Sequence, residues 1–162
     1  MRRRVVVLLL LVLTGVAQAA EWQTIRPGES TQDDVRAQFG PPTRVTSQKV
    51  EGYDTAQWLY EGVQAPRGIV KVTVDFGLLT PQGYKANVVR SMQVDPKPGV
   101  FTRETVLAGW GEPEGAKTEN GVPSILYHSG LIVFFDKGGN VATTLIFTPP
   151  QPRSATPPPT KP

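Results

Sequence analysis

The residues Pro27-Gly28, Thr31, Val35, Phe39-Gly40 and Pro42 recur 71 positions later as Pro98-Gly99, Thr102, Val106, Trp110-Gly111 and Pro113. A constant offset across a whole motif means that one supersecondary unit is used twice, and this narrows the available folds more than composition does. Beyond the motif the correspondence continues with shrinking offsets. Tyr60 matches Tyr127 at 67, Val72 and Asp75 match Val133 and Asp136 at 61, and Val94 matches Phe147 at 53. Loops that shorten in the second copy account for the drift, because connections tolerate length changes.

Each motif reads as a short helix. In the first, Thr31 is placed to cap, and Asp33 and Asp34 put negative charge in the first turn, where the helix dipole favours it. Val35 and Phe39 share a face at i+4, Gly40 suits a left-handed residue after the last turn, and Pro41-Pro42 prevents continuation. Thr102 to Trp110 repeats the scheme, with Glu104 in the first turn and Gly111 and Pro113 closing it. Helices this short do not persist alone, so their apolar stripe must lie on a sheet.

Strand signals supply that sheet. Ala56 to Tyr60 alternates, with Trp58 and Tyr60 on one face. Ile69 to Phe76 alternates too, with Val70, Val72, Val74 and Phe76 on one face and Lys71, Thr73 and Asp75 on the other. Ala86 to Val94 is a third run, and Pro66-Arg67-Gly68 and Pro81-Gln82-Gly83 mark connections. In the second copy, strands are expected at Ser124–Tyr127, Leu131–Asp136 and Val141–Phe147, with a hairpin over Asp136 to Asn140. The expected fold class is α+β: two similar halves, each a short helix on an antiparallel sheet of about three to four strands.

The N-terminus carries an address. Arg2, Arg3 and Arg4 precede an apolar run from Val5 to Leu13 and an A-x-A pattern at Ala17-Gln18-Ala19, the layout of a secretory signal peptide. That run is well short of the ~20 residues of a spanning helix. Residues 1–20 are read as the leader, with Ala19 and Ala20 at the cut and a mature chain starting at Ala20 or Glu21. Without the three arginines the count of Lys and Arg falls from 17 to 14, equal to Asp and Glu. No basic cluster remains, so a nucleic-acid partner is not expected. With no cysteine, the chain lacks disulfides, thiolate metal sites, a Cys nucleophile and a lipid-bearing Cys. Residues 21–148 are read as one domain of two repeats, about 22–96 and 97–148. Residues 149–162, rich in proline, are read as a disordered tail, with docking peptide or wall spacer as the sharper alternatives.

Pro-Gly, Thr, Val, aromatic-Gly-x-Pro and an aromatic strand such as Trp58-Leu59-Tyr60 together resemble the SmpA/OmlA (BamE-like) family. The tandem arrangement is also similar to the β-lactamase inhibitor proteins. The resemblance covers Ile25 to Tyr60 and, more weakly, Pro98 to Tyr127. It implies a helix-plus-sheet unit and an exported, non-catalytic interaction module, with outer-membrane protein assembly as the family's context. This chain departs in lacking a lipobox Cys, in holding two units, and in lacking the disulfides of the tandem inhibitors.

Candidate chemistry is sparse. His128 is the only histidine and sits beside Tyr127 near a strand, with no companion ligands for a metal. No GxSxG elbow, HExxH or phosphate loop occurs. Asp75 and Asp136 invite a paired-carboxylate reading, but each precedes a glycine-containing turn, where Asp bonds local backbone. Trp58, Tyr60 and Tyr127 are candidate partner anchors or core, and Tyr53 and Tyr84, in loop-like sequence, are better placed for exposed contacts. The sequence therefore names no catalytic, cofactor or metal residue and no specific partner-binding residue. The expected function is an exported protein-binding module of the cell envelope, in the periplasm or secreted, working with another envelope or secreted protein. It would need no membrane span after leader removal, no lipid anchor and no cofactor, and would use a concave or edge sheet surface. A secreted enzyme inhibitor and a periplasmic small-molecule or glycan binder are the alternatives.

Overall fold

A computed structural model describes residues 20–151. Residues 1–19, with most of the expected leader, and residues 152–162 of the tail lie outside the described residues. The two motifs form helices α1 (Gln32–Phe39) and α2 (Arg103–Trp110). Both begin with a reciprocal cap. The Thr31 and Thr102 hydroxyls accept the N–H of Asp34 and Thr105, whose side chains accept the N–H of Thr31 and Thr102 in return. Each helix buries one valine, Val35 or Val106, completely.

The expectation of two halves with separate sheets is overturned. Strands β1 (Arg44–Val50), β2 (Tyr53–Glu61), β3 (Ile69–Thr80) and β4 (Gly83–Pro96) precede α2, and β5 (Gly115–Glu119), β6 (Val122–Leu126), β7 (Leu131–Phe135) and β8 (Ala142–Phe147) follow it. All eight form a single antiparallel sheet in the order β1-β2-β3-β4-β8-β7-β6-β5. The described residues thus form one large sheet carrying two eight-residue α-helices, rather than an α+β domain of two small sheets. What joins them is the pairing of β4 with β8, at Met92↔Phe147, Gln93↔Ile146 and Val94↔Leu145. That contact is non-local, so nothing in the hydrophobic periodicity announces it.

Strands β1 and β5 were not anticipated. They are the two edges, and nearly all their residues are exposed on both faces, so they lack the alternation that marks a half-buried strand. Within β3 the register shifts between Ile69 and Lys71. Ile69 is therefore buried at 4% exposure and Val70 is turned outward at 52%, against the expected face.

Pairing also corrects the repeat. Tyr60 lies opposite Val72, and Val72 opposite Val94. In the second copy Tyr127 donates its N–H to the Leu131 carbonyl, and Leu131 lies opposite Phe147. Leu131 is therefore the counterpart of Val72, at an offset of 59 rather than 61. Bridges Thr31↔Val88 and Thr102↔Val141 repeat the offset of 53 in β4 and β8. The β4–β8 contact is symmetric: exchanging the copies turns Met92↔Phe147 into Leu145↔Val94.

The core lies between one face of the sheet and the helices. Phe39 packs on Trp22 and Tyr60 at ring separations of 5.7 and 5.5 Å, and Trp110 packs on Phe147 at 6.1 Å. The Tyr60 hydroxyl donates to the Gly40 carbonyl at 3.2 Å, and the Tyr127 hydroxyl to that of Gly111 at 3.0 Å. Burial pushes the Tyr60 phenol up to about 12 and raises that of Tyr127. Gly40 (φ 77, ψ −160) and Gly111 (φ 82, ψ −164) have positive φ as expected, but not the left-handed helical ψ. They occupy a region open essentially to glycine alone.

Candidate functional site

With the helices on one face, the opposite face of the sheet carries the side chains that alternate with the core. On β7, Leu131, Val133 and Phe135 point inward, and Ile132 and Phe134 point outward. On β4, Met92 and Val94 point inward, and Ser91, Gln93 and Asp95 outward. Strand register aligns these outward residues into rows. The central row runs Leu126, Ile132, Ile146, Gln93, Thr73, Leu59 from β6 to β2. Leu126 is 39% exposed, and Ile132, Ile146 and Phe134 are half-buried without being sealed.

The part of this face on β2 to β4 is polar and internally bonded. Asp75 accepts from Gln57 Nε2 at 2.9 Å and Ser91 Oγ at 3.0 Å. Asp95 is paired with Lys71 at 3.1 Å and accepts from Gln93 and Thr144. That network reaches β8 only at Thr144, opposite Phe134, and the rest of the face on β6 to β8 is mainly apolar. It presents Leu126, Ile132, Phe134 and Ile146, and adjacent strands ~4.8 Å apart bring the row into one continuous apolar strip. Neither helix reaches this face.

The sequence-derived candidates fall in three environments. Trp58, Tyr60 and Tyr127 are core, at 5%, 0% and 3% exposure, and are unavailable as anchors. Asp75 lies in mid-strand rather than before a turn, because β3 continues through Gly77 to Thr80. Asp136 does occupy a turn, where its carboxylate accepts the N–H of Asn140 at 2.9 Å and of Val141 at 3.1 Å. The Val141 and Asn140 N–H groups hold its carboxyl below the ordinary value. Under the structural register Asp75 corresponds to Phe134, so the two carboxylates are not equivalent positions. His128 lies between β6 and β7, and its backbone N–H donates to Glu114 at 3.1 Å.

Tyr53 and Tyr84 are brought together at the far end of the β3–β4 hairpin. Their rings stack at 4.4 Å, and the Tyr84 hydroxyl donates to the Asp54 carbonyl at 2.6 Å. Both lie at strand starts instead of in loops. Tyr53 is 39% exposed, beside Leu79 at 59%. Gly77 makes this stack possible, since a Cβ there would meet the Tyr84 hydroxyl. The outward strip carries no mark in the sequence, because Leu131 to Phe135 is an unbroken apolar run in which inward and outward positions look alike.

Among the described residues no group of three or more His, Asp or Glu is placed to hold a metal ion, and no helix is long and apolar enough to cross a membrane. No protein-family model matches the chain, and no curated protein does. Among solved structures it is similar to YjgB, a DUF4309 family protein from Bacillus subtilis subsp. subtilis str. 168. The identity is 14% and the TM-score 0.44, over 78% of this chain and 83% of that one. A likeness this remote carries no functional argument.

Proposed function

We propose that the protein is an exported, non-catalytic protein-binding module of the cell envelope that takes its partner on the outward face of β6 to β8. The observation that carries this reading is the apolar row Leu126, Ile132 and Ile146 with Phe134 beside it, on a face that neither helix covers. Equivalent positions in the first copy hold Leu59, Thr73, Gln93 and Asp75, so the fold itself does not require an apolar strip there. Contiguous exposed apolar surface on a sheet is characteristic of interaction sites. The face is favoured over strand addition at the edges, because β1 and β5 carry Lys49 and Lys117, and edge lysines oppose pairing with another chain.

The test is site-specific photocrosslinking in the exporting cell, with the probe at Phe134 or, as control, at Thr73. A discrete protein adduct from position 134, absent from 73, is expected. A double variant, Ile132→Thr with Ile146→Gln, gives the strip the residues of the other copy. It should abolish the adduct while leaving the melting temperature within a few degrees. An adduct that persists in the double variant, or that forms equally at Thr73, rejects this face as the docking site. An outer-membrane protein or assembly factor as the captured partner would supply the family context implied by the SmpA/OmlA resemblance.

A further inference from the structure

We propose that the leader is cut between Ala19 and Ala20, and that the ammonium freed at Ala20 becomes a structural group of the folded protein. The cut rests on the exported reading above; the docking does not. Ala20 is only 4% exposed, and its backbone nitrogen donates to the Ser129 carbonyl at 2.8 Å. Ser129 belongs to the β6–β7 connection, in the second copy. The next residues run to the first copy. Trp22, 7% exposed, packs on Phe39 of α1 at 5.7 Å. It also exchanges backbone hydrogen bonds with Ile25 at 3.1 and 3.3 Å, and Ile25 is fully buried. Residues 20–25 thus form a strap that ties the β6–β7 connection to α1 across the helix-bearing face.

Chain termini are loosely held unless something ties them down. Here the tie is made by the first residue that would remain after cutting at the A-x-A pattern. Cutting one residue later, after Ala20, would remove both the buried methyl and the donor to Ser129. Hydrolysis of the 19–20 bond places the hydroxyl of water on the Ala19 carbonyl carbon and its proton on the Ala20 amine, which is protonated at neutral pH. An ammonium then replaces the amide N–H as donor, and a charged donor makes a shorter and stronger hydrogen bond to the carbonyl. The geometry also orders the events. A peptide bond whose nitrogen is engaged and whose following side chain is buried cannot extend into a protease site, so the cut precedes docking of the strap.

The experiment compares three chains ending at Pro162, each released from an N-terminal fusion that leaves no extra residue: one starting at Ala20, one at Glu21, and one at Ala20 with its amine acetylated. The Ala20 chain is expected to melt highest. The Glu21 chain should fall on the order of 5 °C below it, given one lost hydrogen bond from a charged donor and one lost buried methyl. The acetylated chain, which keeps one N–H but no charge, should lie between. Equal melting of all three overturns the docking, and an acetylated chain as stable as the free amine overturns the role of the charge. Intact mass of the exported protein reads the cut independently. A chain starting at Ala20 supports it, a chain starting at Glu21 overturns it, and retained Met1 overturns the exported reading while the melting series still decides the docking.

Discussion

The two copies agree where they face the helices and disagree where they face away. On the inner side Val35 and Val106 are both fully buried, both helices carry the same reciprocal cap, and Tyr60 and Tyr127 make the same bond to Gly40 and Gly111. On the outer side Thr73, Asp75 and Gln93 are answered by Ile132, Phe134 and Ile146. Inner positions have little freedom, since each side chain must fill the space left by its neighbours at close to crystal density. Outer positions answer to solvent or to a partner, so they are where two copies of one unit become different surfaces. The hairpins differ too: β3 and β4 run 12 and 14 residues and bring Tyr84 onto Tyr53 at the start of β2, whereas β7 and β8 run only 5 and 6.

The largest test of inner equivalence is truncation of Phe76 and of its counterpart Phe135, both at most 1% exposed. Each alanine variant should lose about 3–5 kcal/mol in denaturant unfolding. Because the sheet is continuous through β4 and β8, each should still unfold in one transition by both fluorescence and circular dichroism. Two separated transitions in either variant would show that the copies are independent units. Next come Gly40→Asn and Gly111→Asn. At a ψ near −160° asparagine gains nothing from its tolerance of the left-handed helical region, so each should cost about 1–3 kcal/mol. A loss of only a few tenths at either site would contradict the glycine-only backbone there.

Smaller effects are expected from Tyr60→Phe and Tyr127→Phe, which remove one hydroxyl each and should cost about 0.5–1.5 kcal/mol. Similar losses in the two variants would sharpen the equivalence; a loss confined to one would break it. The smallest concerns a residue without an equivalent, Asp136. Its carboxyl is held below the ordinary 3.8 by backbone N–H groups, so the stabilisation is present above that value and is lost as pH falls through the lowered folded value. Asp136→Ala should therefore be less stable than the parent at neutral pH, and the gap should close under acid. A gap that is the same at pH 7 and pH 2 would exclude the carboxylate as its cause.

The helix boundaries were legible from local chemistry; the sheet architecture was not. Thr31 and Thr102 at the starts, acidic residues in the first turns and aromatic-Gly at the ends mark both helices to within a residue. Asp136 before Lys-Gly-Gly-Asn reads correctly as a turn aspartate, whereas Trp58, Tyr60 and Tyr127 read equally as anchors or core until burial decides for core. The errors share a cause. Strands β1 and β5 have no buried face, and an edge strand is held by backbone hydrogen bonds that leave no mark on side-chain pattern. Val70 was assigned to the wrong face because an irregularity in register, invisible in the string Ile-Val-Lys-Val, flips the phase of alternation.

The sequence by itself determined that a Pro-Gly, Thr, Val, aromatic-Gly motif recurs and which residues cap and close each helix, because those requirements act over a few neighbouring residues. Tertiary structure alone decided that the copies fuse through β4 and β8 into one sheet. It alone decided that Asp75 answers to Phe134 rather than Asp136, and that Ile132, Phe134 and Ile146 face outward beside Leu126. Each of these depends on pairing between residues distant in the chain, and a one-residue change of register exchanges the inner and outer faces of a whole strand.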